Sequence, residues 1–322
     1  MRRIALLVLL AFPLFAQHDR DGRGTPSAPN AVDRKAIERA NDELAAQRAA
    51  EQSRMRLRSR KLKDAIHDFK AGDFKAAPLH VTVGEFVAAT GQPFTAVHIE
   101  TSAELPEQAT FFGEIVNDDG SWFWSWEENV TLSRAPDGTS YYERSFAFPP
   151  GNRTATFGLA VKDDARAIAV VPLFLAKLDR NARRVSPLIV SKQVFPLATA
   201  QKADDPFAFG GLKVVPKADR TFHKSDALWL FFEAQNPALA ENESAPKLTT
   251  NVTLEGADGK KVRALTAGAE VVALKGVPGH FGVGTTLDLS RFAPGAYNVR
   301  VSVSDKIAGE TYELLEHITV VE

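Results

Sequence analysis

GSWFWSWEENV, residues 120–130, sets three of the chain's four tryptophans, Trp122, Trp124 and Trp126, on alternating positions. A period of two is the mark of a half-buried β-strand. NDDG precedes the stretch at 117–120 and APDG follows it at 135–138, and Asp-Gly between alternating runs is a strong hairpin signal. With Asp119-Gly120 as a two-residue turn, Ile115 falls opposite Trp124 and Gly113 opposite Trp126. Phe123, Ser125 and Glu127 then sit against Val116, Glu114 and Phe112 on the other face. The tryptophan face is the more apolar. Turning it outward would line the core with Ser125, Glu114 and Glu127, which is costly without partners.

APDG fits a three-residue loop with Gly138 left-handed, which sets Leu132 against Tyr142, Val130 against Arg144 and Trp126 against Phe148. Glu128 and Arg144 are then diagonal neighbours on the tryptophan face and mark where it leaves the interior. The row is expected to be core, with Trp122 or Trp126 at its ends reaching the rim. Trp122, Trp124, Trp126, Glu128 and Arg144 are the candidate ligand-binding residues.

The same alternation extends in both directions. LHVTVGEFVAAT, FTAVHIETSA, ATFFGEIV, SYYERSFAF, TATFGLAVKD and AIAVVPLFLAKL surround the tryptophan strand and are separated by turn-forming segments such as GQP and PPGN. They predict a first β-sandwich over residues 78–197. ATAQKADDP at 198–206 reads as a linker, and a second sandwich follows over 207–322. In it, FAPGAYNVRVSVSD places Tyr297 at a strand entry and Val299, Val301 and Val303 on one face. A tyrosine there looks like the corner tyrosine of immunoglobulin-type sandwiches, whose hydroxyl bonds back to an earlier turn. The expected fold is mainly β: two immunoglobulin-like antiparallel sandwiches preceded by a long charged helix.

That helix is expected over residues 33–72, which hold no Gly or Pro until Gly72 and are rich in Ala, Glu, Arg, Leu and Lys. Met55, Leu62, Phe69 and Ile66 make a short heptad-like stripe at its C-terminal end, suited to docking on the next domain or to self-association. The stripe is too short for a sustained coiled coil. RMRLRSRKLK at 54–63 is basic, with acidic residues upstream, and reads as a solvated helix face. Upstream, MRRIALLVLLAFPLFA at 1–16 has the layout of a secretory signal peptide. Its apolar run is about half of the ~20 residues that span a bilayer. Residues 17–32, rich in Gly, Pro, Ser and charge, read as a tether.

The formal charge of −1 removes a global electrostatic case for nucleic acid or an anionic membrane. With no cysteine there is no thiolate nucleophile, disulfide or cysteine-bound zinc. No Gly-x-Ser-x-Gly elbow, paired-histidine metal motif or phosphate loop occurs. NDDGS lacks the alternating acids of a calcium loop, and no cofactor is expected. Paired carboxylates can be distant in sequence, and Glu127 and Glu128 are the candidates for hydrolysis.

Residues 205–236, DPFAFGGLKVVPKADRTFHKSDALWLFFEAQN, with FAPGAYNVRVSVSDKIAGET at 292–311, resemble a C-terminal β-sandwich module of secreted bacterial proteins. Those proteins are labelled von Willebrand factor A-related or GWxTD-domain proteins. The likeness covers roughly the last 120 residues, and it implies export and an accessory role. The Asp-x-Ser-x-Ser metal motif of a true A-domain is absent, as is Gly-Trp-x-Thr-Asp.

The expectation is an exported, periplasmic or extracellular, non-enzymatic accessory or adhesion-like binding protein. Its partner would be another exported protein or a cell-envelope component. The rival readings are a polysaccharide-binding protein using Trp122, Trp124 and Trp126, and a hydrolase using Glu127 or Glu128. Nucleic acid is not an expected partner, and membrane contact would come through an uncleaved signal segment.

Overall fold

The computed structural model describes residues 56–87, 93–177, 179, 182–197, 206–209, 211–256, 259, 261–267, 270–274 and 279–322. The expected signal peptide, the tether, residues 33–55 of the expected helix and residues 198–205 of the expected linker lie outside them.

The described chain is mainly β. Its helix, α1 (Arg60–Ala71), is followed by β1 (Ala77–Pro78), β2 (His80–Val87), β3 (Pro93–Thr101) and β4 (Gln108–Asn117). Next come β5 (Trp122–Thr131), β6 (Ser133–Arg134), β7 (Ser140–Phe146), β8 (Gly151–Val161) and β9 (Asp164–Leu175). These nine strands form a first sheet in the order β1-β9-β8-β4-β5 and a second in the order β2-β3-β7-β6. Phe111, Ile115, Trp126, Phe157 and Leu173 of the first sheet pack against Val97, Ile99 and Phe146 of the second.

The chain continues as β10 (Arg184–Val185), β11 (Ile189–Pro196), β12 (Ala208–Phe209), β13 (Leu212–Pro216), β14 (Thr221–His223) and β15 (Ala227–Gln235). It ends with β16 (Leu248–Gly256), β17 (Lys261–Ala267), β18 (Glu270–Ala273), β19 (His280–Asp288), β20 (Gly295–Asp305) and β21 (Glu310–Val321). A third sheet runs β12-β13-β11-β15-β19-β18 with β10 against β15, and a fourth runs β14-β21-β20-β16-β17. Leu228, Leu230 and Phe232 face Val299, Val301 and Val303 across this pair, as the period of two requires. Tyr297 Oη donates to the Ala293 carbonyl at 2.7 Å, the local bond expected of a corner tyrosine.

Apolar clusters join the successive layers. Leu57, Leu62 and Ile66 pack on Phe112, Ala160 and Ile168, so the helix segment lies on the outer face of the first sheet. Phe86, Phe94 and Ala96 of the second sheet meet Ile189, Val214 and Phe231 of the third. Of the expected stripe, Leu62, Ile66 and Phe69 thus dock on the first sheet, and Met55 lies outside the described residues. Both faces of the first, second and third sheets are at least partly covered, which is why their strands carry long buried runs.

Several expectations change. Residues 189–196, assigned to the first sandwich, pair with β13 and β15 in the third sheet. The strands flanking the expected linker 198–206 are hydrogen-bonded to each other, from Ser191↔Pro216 to Pro196↔Leu212, so that segment separates two strands of one sheet. The passage from first to second sandwich falls instead between Leu175 and Arg184. Alternation identifies a strand but not its sheet, which is decided by distant partners. The sheets are also not wholly antiparallel, because β1–β9 and β14–β21 are parallel pairs.

Of the helix expected over 33–72, the described part is helical from Arg60, with Arg56 to Ser59 non-helical. Ser59 is the N-cap, its Oγ accepting from Leu62 N at 3.4 Å. At the other end Gly72 has φ 85°. Its N–H donates to Phe69 O at 3.1 Å and that of Asp73 to Asp68 O at 2.8 Å, a Schellman closure.

Candidate functional site

The tryptophan strand keeps its expected core register and departs from it at one end. Gly113 faces Trp126, Ile115 faces Trp124, Glu114 faces Ser125 and Phe112 faces Glu127. At the hairpin, however, Asn117 N donates to Ser121 O at 2.9 Å and Gly120 has φ 79°, so the loop holds three residues, not two. A bulge between Ile115 and Val116 takes up the extra residue and sets Val116 opposite Trp122. Trp122 is therefore carried to the opposite face from Trp124 and Trp126.

Trp126 is 0% exposed and rings the core with Phe146 at 5.5 Å and Trp124 at 5.2 Å. Its Nε1 is buried without a hydrogen-bond partner. Trp124 is half-buried and meets Phe148 at 5.8 Å. Trp122 is 56% exposed. It ends a cross-strand row on the outer face that continues through Val116, Thr154 and Pro172. The row spans three strand spacings, about 14 Å. Val170 at 42% and Phe174 at 72% exposure lie on the same face of β9. The outer face is thus divided: α1 covers Phe112, Ala160 and Ile168, and an apolar strip of Trp122, Val170, Pro172 and Phe174 remains in solvent.

Charged neighbours of the row are engaged in holding the structure. Arg144 Nη1 donates to Glu128 Oε2 at 2.5 Å, and Tyr142 Oη to Glu128 Oε1 at 3.4 Å. This pair was expected along one hairpin ladder. The hairpin register is as read, with Ser133↔Tyr141, but the chain changes sheets there: β5 pairs with β4 and β7 with β3. Glu128–Arg144 is consequently a tie across the sandwich. Beside it, Glu127 points to the outer face and accepts from Arg58 N at 2.8 Å and Ser59 N at 2.9 Å. That places a carboxylate at the start of α1, where the helix dipole favours negative charge. Lys70 near the helix end binds Glu114 of the same sheet at 2.8 Å. Glu127 and Glu128 lie on opposite faces of one strand, so they cannot flank a common bond.

A second cluster, unseen as a unit in the sequence, lies between the second and third sheets. His98 is 0% exposed. Its Nδ1 lies 3.0 Å from Glu143 Oε1 and its Nε2 3.4 Å from Glu100 Oε2, with Tyr141 stacked on the ring at 5.3 Å. Glu143 pairs with Lys213. Glu100 pairs with Lys217 at 3.3 Å and accepts from Asp219 N at 2.7 Å. Lys217 also reaches Asp219 at 2.7 Å and Asp137 at 3.9 Å, and Asp137 holds Lys192 at 2.7 Å.

Burial pushes the His98 imidazolium towards deprotonation, but its bonds to Glu100 and Glu143 prevail and hold it above its ordinary value. Burial likewise opposes ionisation of Glu100. The His98 bond, the Lys217 charge and the Asp219 N–H overcome it and bring that carboxyl down to about 2. His98 and Glu100 two apart on one strand face were the only local sign of this cluster. Lys213 and Lys217 lie more than a hundred residues away, beyond the reach of pattern reading. Among the described residues no group of three His, Cys, Asp or Glu is placed to hold a metal ion. No helix there is long and apolar enough to cross a membrane.

No protein-family model matches the chain, and no curated protein matches it. A solved structure similar to it is a red sea bream transglutaminase, at 13% identity and a TM-score of 0.24, with 79% of this chain and 33% of that one covered. The chain therefore spans about a third of that enzyme's length, and the likeness carries no argument about activity.

Proposed function

We propose that this is an exported, non-enzymatic accessory or adhesion-like protein, built from two immunoglobulin-like sandwiches, that binds a cell-envelope component or another exported protein. The observation that carries the reading is the exposed strip of Trp122, Val170, Pro172 and Phe174 beside α1. Exposed aromatic side chains grouped on one sheet face are suited to contact, since apolar surface left in water gains when covered. The two carboxylates weighed for hydrolysis, Glu127 and Glu128, are committed to α1 and to Arg144, which favours binding over hydrolysis. The leader-like residues 1–16 and the likeness of the C-terminal part to a secreted module support export.

The test is cosedimentation of the purified chain with isolated cell-envelope fragments, beside the Trp122→Ala/Phe174→Ala variant. Retention of wild type and loss in a variant of unchanged thermal midpoint are expected. Equal retention of both would remove the strip from the reading.

A polysaccharide is the second reading. Trp122 stands about 14 Å from Pro172 across a sheet, with Thr154 between them in the row; sugar rings stack on such apolar surfaces while their hydroxyls use neighbouring polar groups. Saturable quenching of Trp122 fluorescence by a soluble polysaccharide, absent in Trp122→Phe, selects this reading. No response across a panel of neutral and acidic polysaccharides excludes it.

A further inference from the structure

The contact between the second and third sheets combines an apolar patch, from Phe86 to Phe231, with the ionic cluster around His98. β2 contributes exposed His80, opposite Glu100, and Glu85, whose charge faces that of Arg184 on β10 and cancels it. β3 supplies His98 and Glu100, β7 supplies Glu143 with Tyr141, and the turn before β7 supplies Asp137. β11 supplies Lys192, β13 supplies Lys213, and the segment after β13 supplies Lys217 and Asp219. In the cluster linked to His98, four carboxylates (Glu100, Asp137, Glu143, Asp219) stand against three lysines (Lys192, Lys213, Lys217). One further positive charge closes the balance, and the imidazole between Glu100 and Glu143 is the group positioned to carry it. With His98 neutral, only one of its two ring nitrogens carries a proton to donate, so Glu100 or Glu143, whose side chains are 5% and 11% exposed, loses that bond where burial makes an unpaired charge costly.

We propose that this contact is a proton-operated clamp: protonated His98 balances the charges that bind the second sheet to the third, and loss of that proton weakens the contact between the two sandwiches. The clamp is closed in mildly acidic surroundings and loosens as pH rises beyond the ordinary histidine value of ~6.5. A histidine whose value is raised in the folded state stabilises fully below its ordinary value of ~6.5, and that stabilisation is lost as pH rises through the raised folded value. Over that window the unfolding equilibrium constant grows about tenfold per pH unit for the one proton involved.

The chain lacks cysteine, so spin labels at Asp163→Cys and Arg291→Cys, exposed turns on the two sandwiches, report the distance between them. In the wild-type background the distance distribution is expected to be narrow near pH 6 and to broaden towards about pH 9, with a midpoint above ~6.5. His98→Gln leaves the cluster unbalanced, and a broad distribution at both pH values is expected. The double change His98→Gln/Glu143→Gln restores the balance without a titrating group, so it should be narrow at both. A wild-type distribution that is the same at both pH values overturns the clamp, as does a double variant no narrower than His98→Gln. Should the variants not fold, NMR titration of the wild-type His98 ring decides: a midpoint above ~6.5 supports the clamp, and one at or below it sinks it.

Discussion

Gly113 stands directly across from Trp126 in the first sheet, and the indole lies over it: a Cβ built on Gly113 would come within 2.3 Å of Trp126 Cζ2 and 2.2 Å of the Thr156 carbonyl oxygen. Phe112, next in the chain, lies on the opposite face over Gly158, its own cross-strand partner. Both of these rings are thus seated on a glycine of the adjacent strand, an arrangement that shields a weak strand position and provides room for the ring. Because one of the two obstructing groups at Gly113 is backbone, it cannot swing away. Gly113→Ala is expected to destabilise by about 1–3 kcal/mol, the usual range for overpacking a core. Urea denaturation should show a lower midpoint at unchanged slope.

α1 is held by its ends as well as by its apolar side. Glu127 accepts the backbone N–H groups of Arg58 and Ser59, while Leu62 and Ile66 are buried on the sheet. Removing the acceptor with Glu127→Ala should cost about 0.5–2 kcal/mol, as the loss of a cap does. Leu62→Ala should cost about 2–5 kcal/mol through its cavity. Hydrogen exchange separates the two effects. In Glu127→Ala the loss of amide protection should be confined to the first turns of residues 60–71, and in Leu62→Ala it should extend along the helix.

Much of this arrangement was legible in local chemistry, and the remainder was hidden for identifiable reasons. The pairing of Gly113 with Trp126 follows from Asp119-Gly120 and the alternation on either side. The side on which Trp122 falls does not, because the bulge at Phe123 carries no local mark; a loop one residue longer and a bulge together give the same core register as a tight turn without a bulge. The Glu128–Arg144 tie was legible as a pair but not as a link between sheets, since a hairpin has one register whether its strands stay together or separate after Ser133. The role of His98 depends on Lys213 and Lys217, which only the packing of the second sheet on the third brings near. The placement of residues 189–196 was hidden for the same reason.

Glu100 contributes to the acid side of stability, beside Asp137, where burial opposes ionisation but Lys192 and Thr139 also hold the carboxyl low. Its carboxyl titrates at about 2 in the folded protein, against ~4.3 in an unfolded chain. A lowered carboxyl contributes stability that is present above the unfolded value and is lost as pH falls through the folded one. Unfolding free energy should therefore drop between about pH 4.3 and 2, and part of that drop should be missing in Glu100→Gln. Denaturant midpoints measured at half-unit pH steps check this. An identical acid limb in the two proteins would mean that Glu100 is not held by His98, Lys217 and the Asp219 N–H as described.

The two ends of the tryptophan row should behave as different kinds of residue. Trp126 fills the core with no exposed surface, and Trp122 stands mostly in water. Trp126→Ala is expected to destabilise by about 3–5 kcal/mol through the cavity left by the indole. Trp126→Phe should cost less, because the phenyl ring still occupies part of the site and the unpartnered buried N–H, a group that costs about 1–3 kcal/mol when unsatisfied, goes with the indole. Trp122→Ala should change stability by no more than about 0.5 kcal/mol, in the range of surface substitutions. Iodide quenching distinguishes the positions without unfolding anything. The accessible fraction of the emission should fall sharply in Trp122→Phe and remain in Trp126→Phe, and the reverse pattern would place Trp122 in the interior.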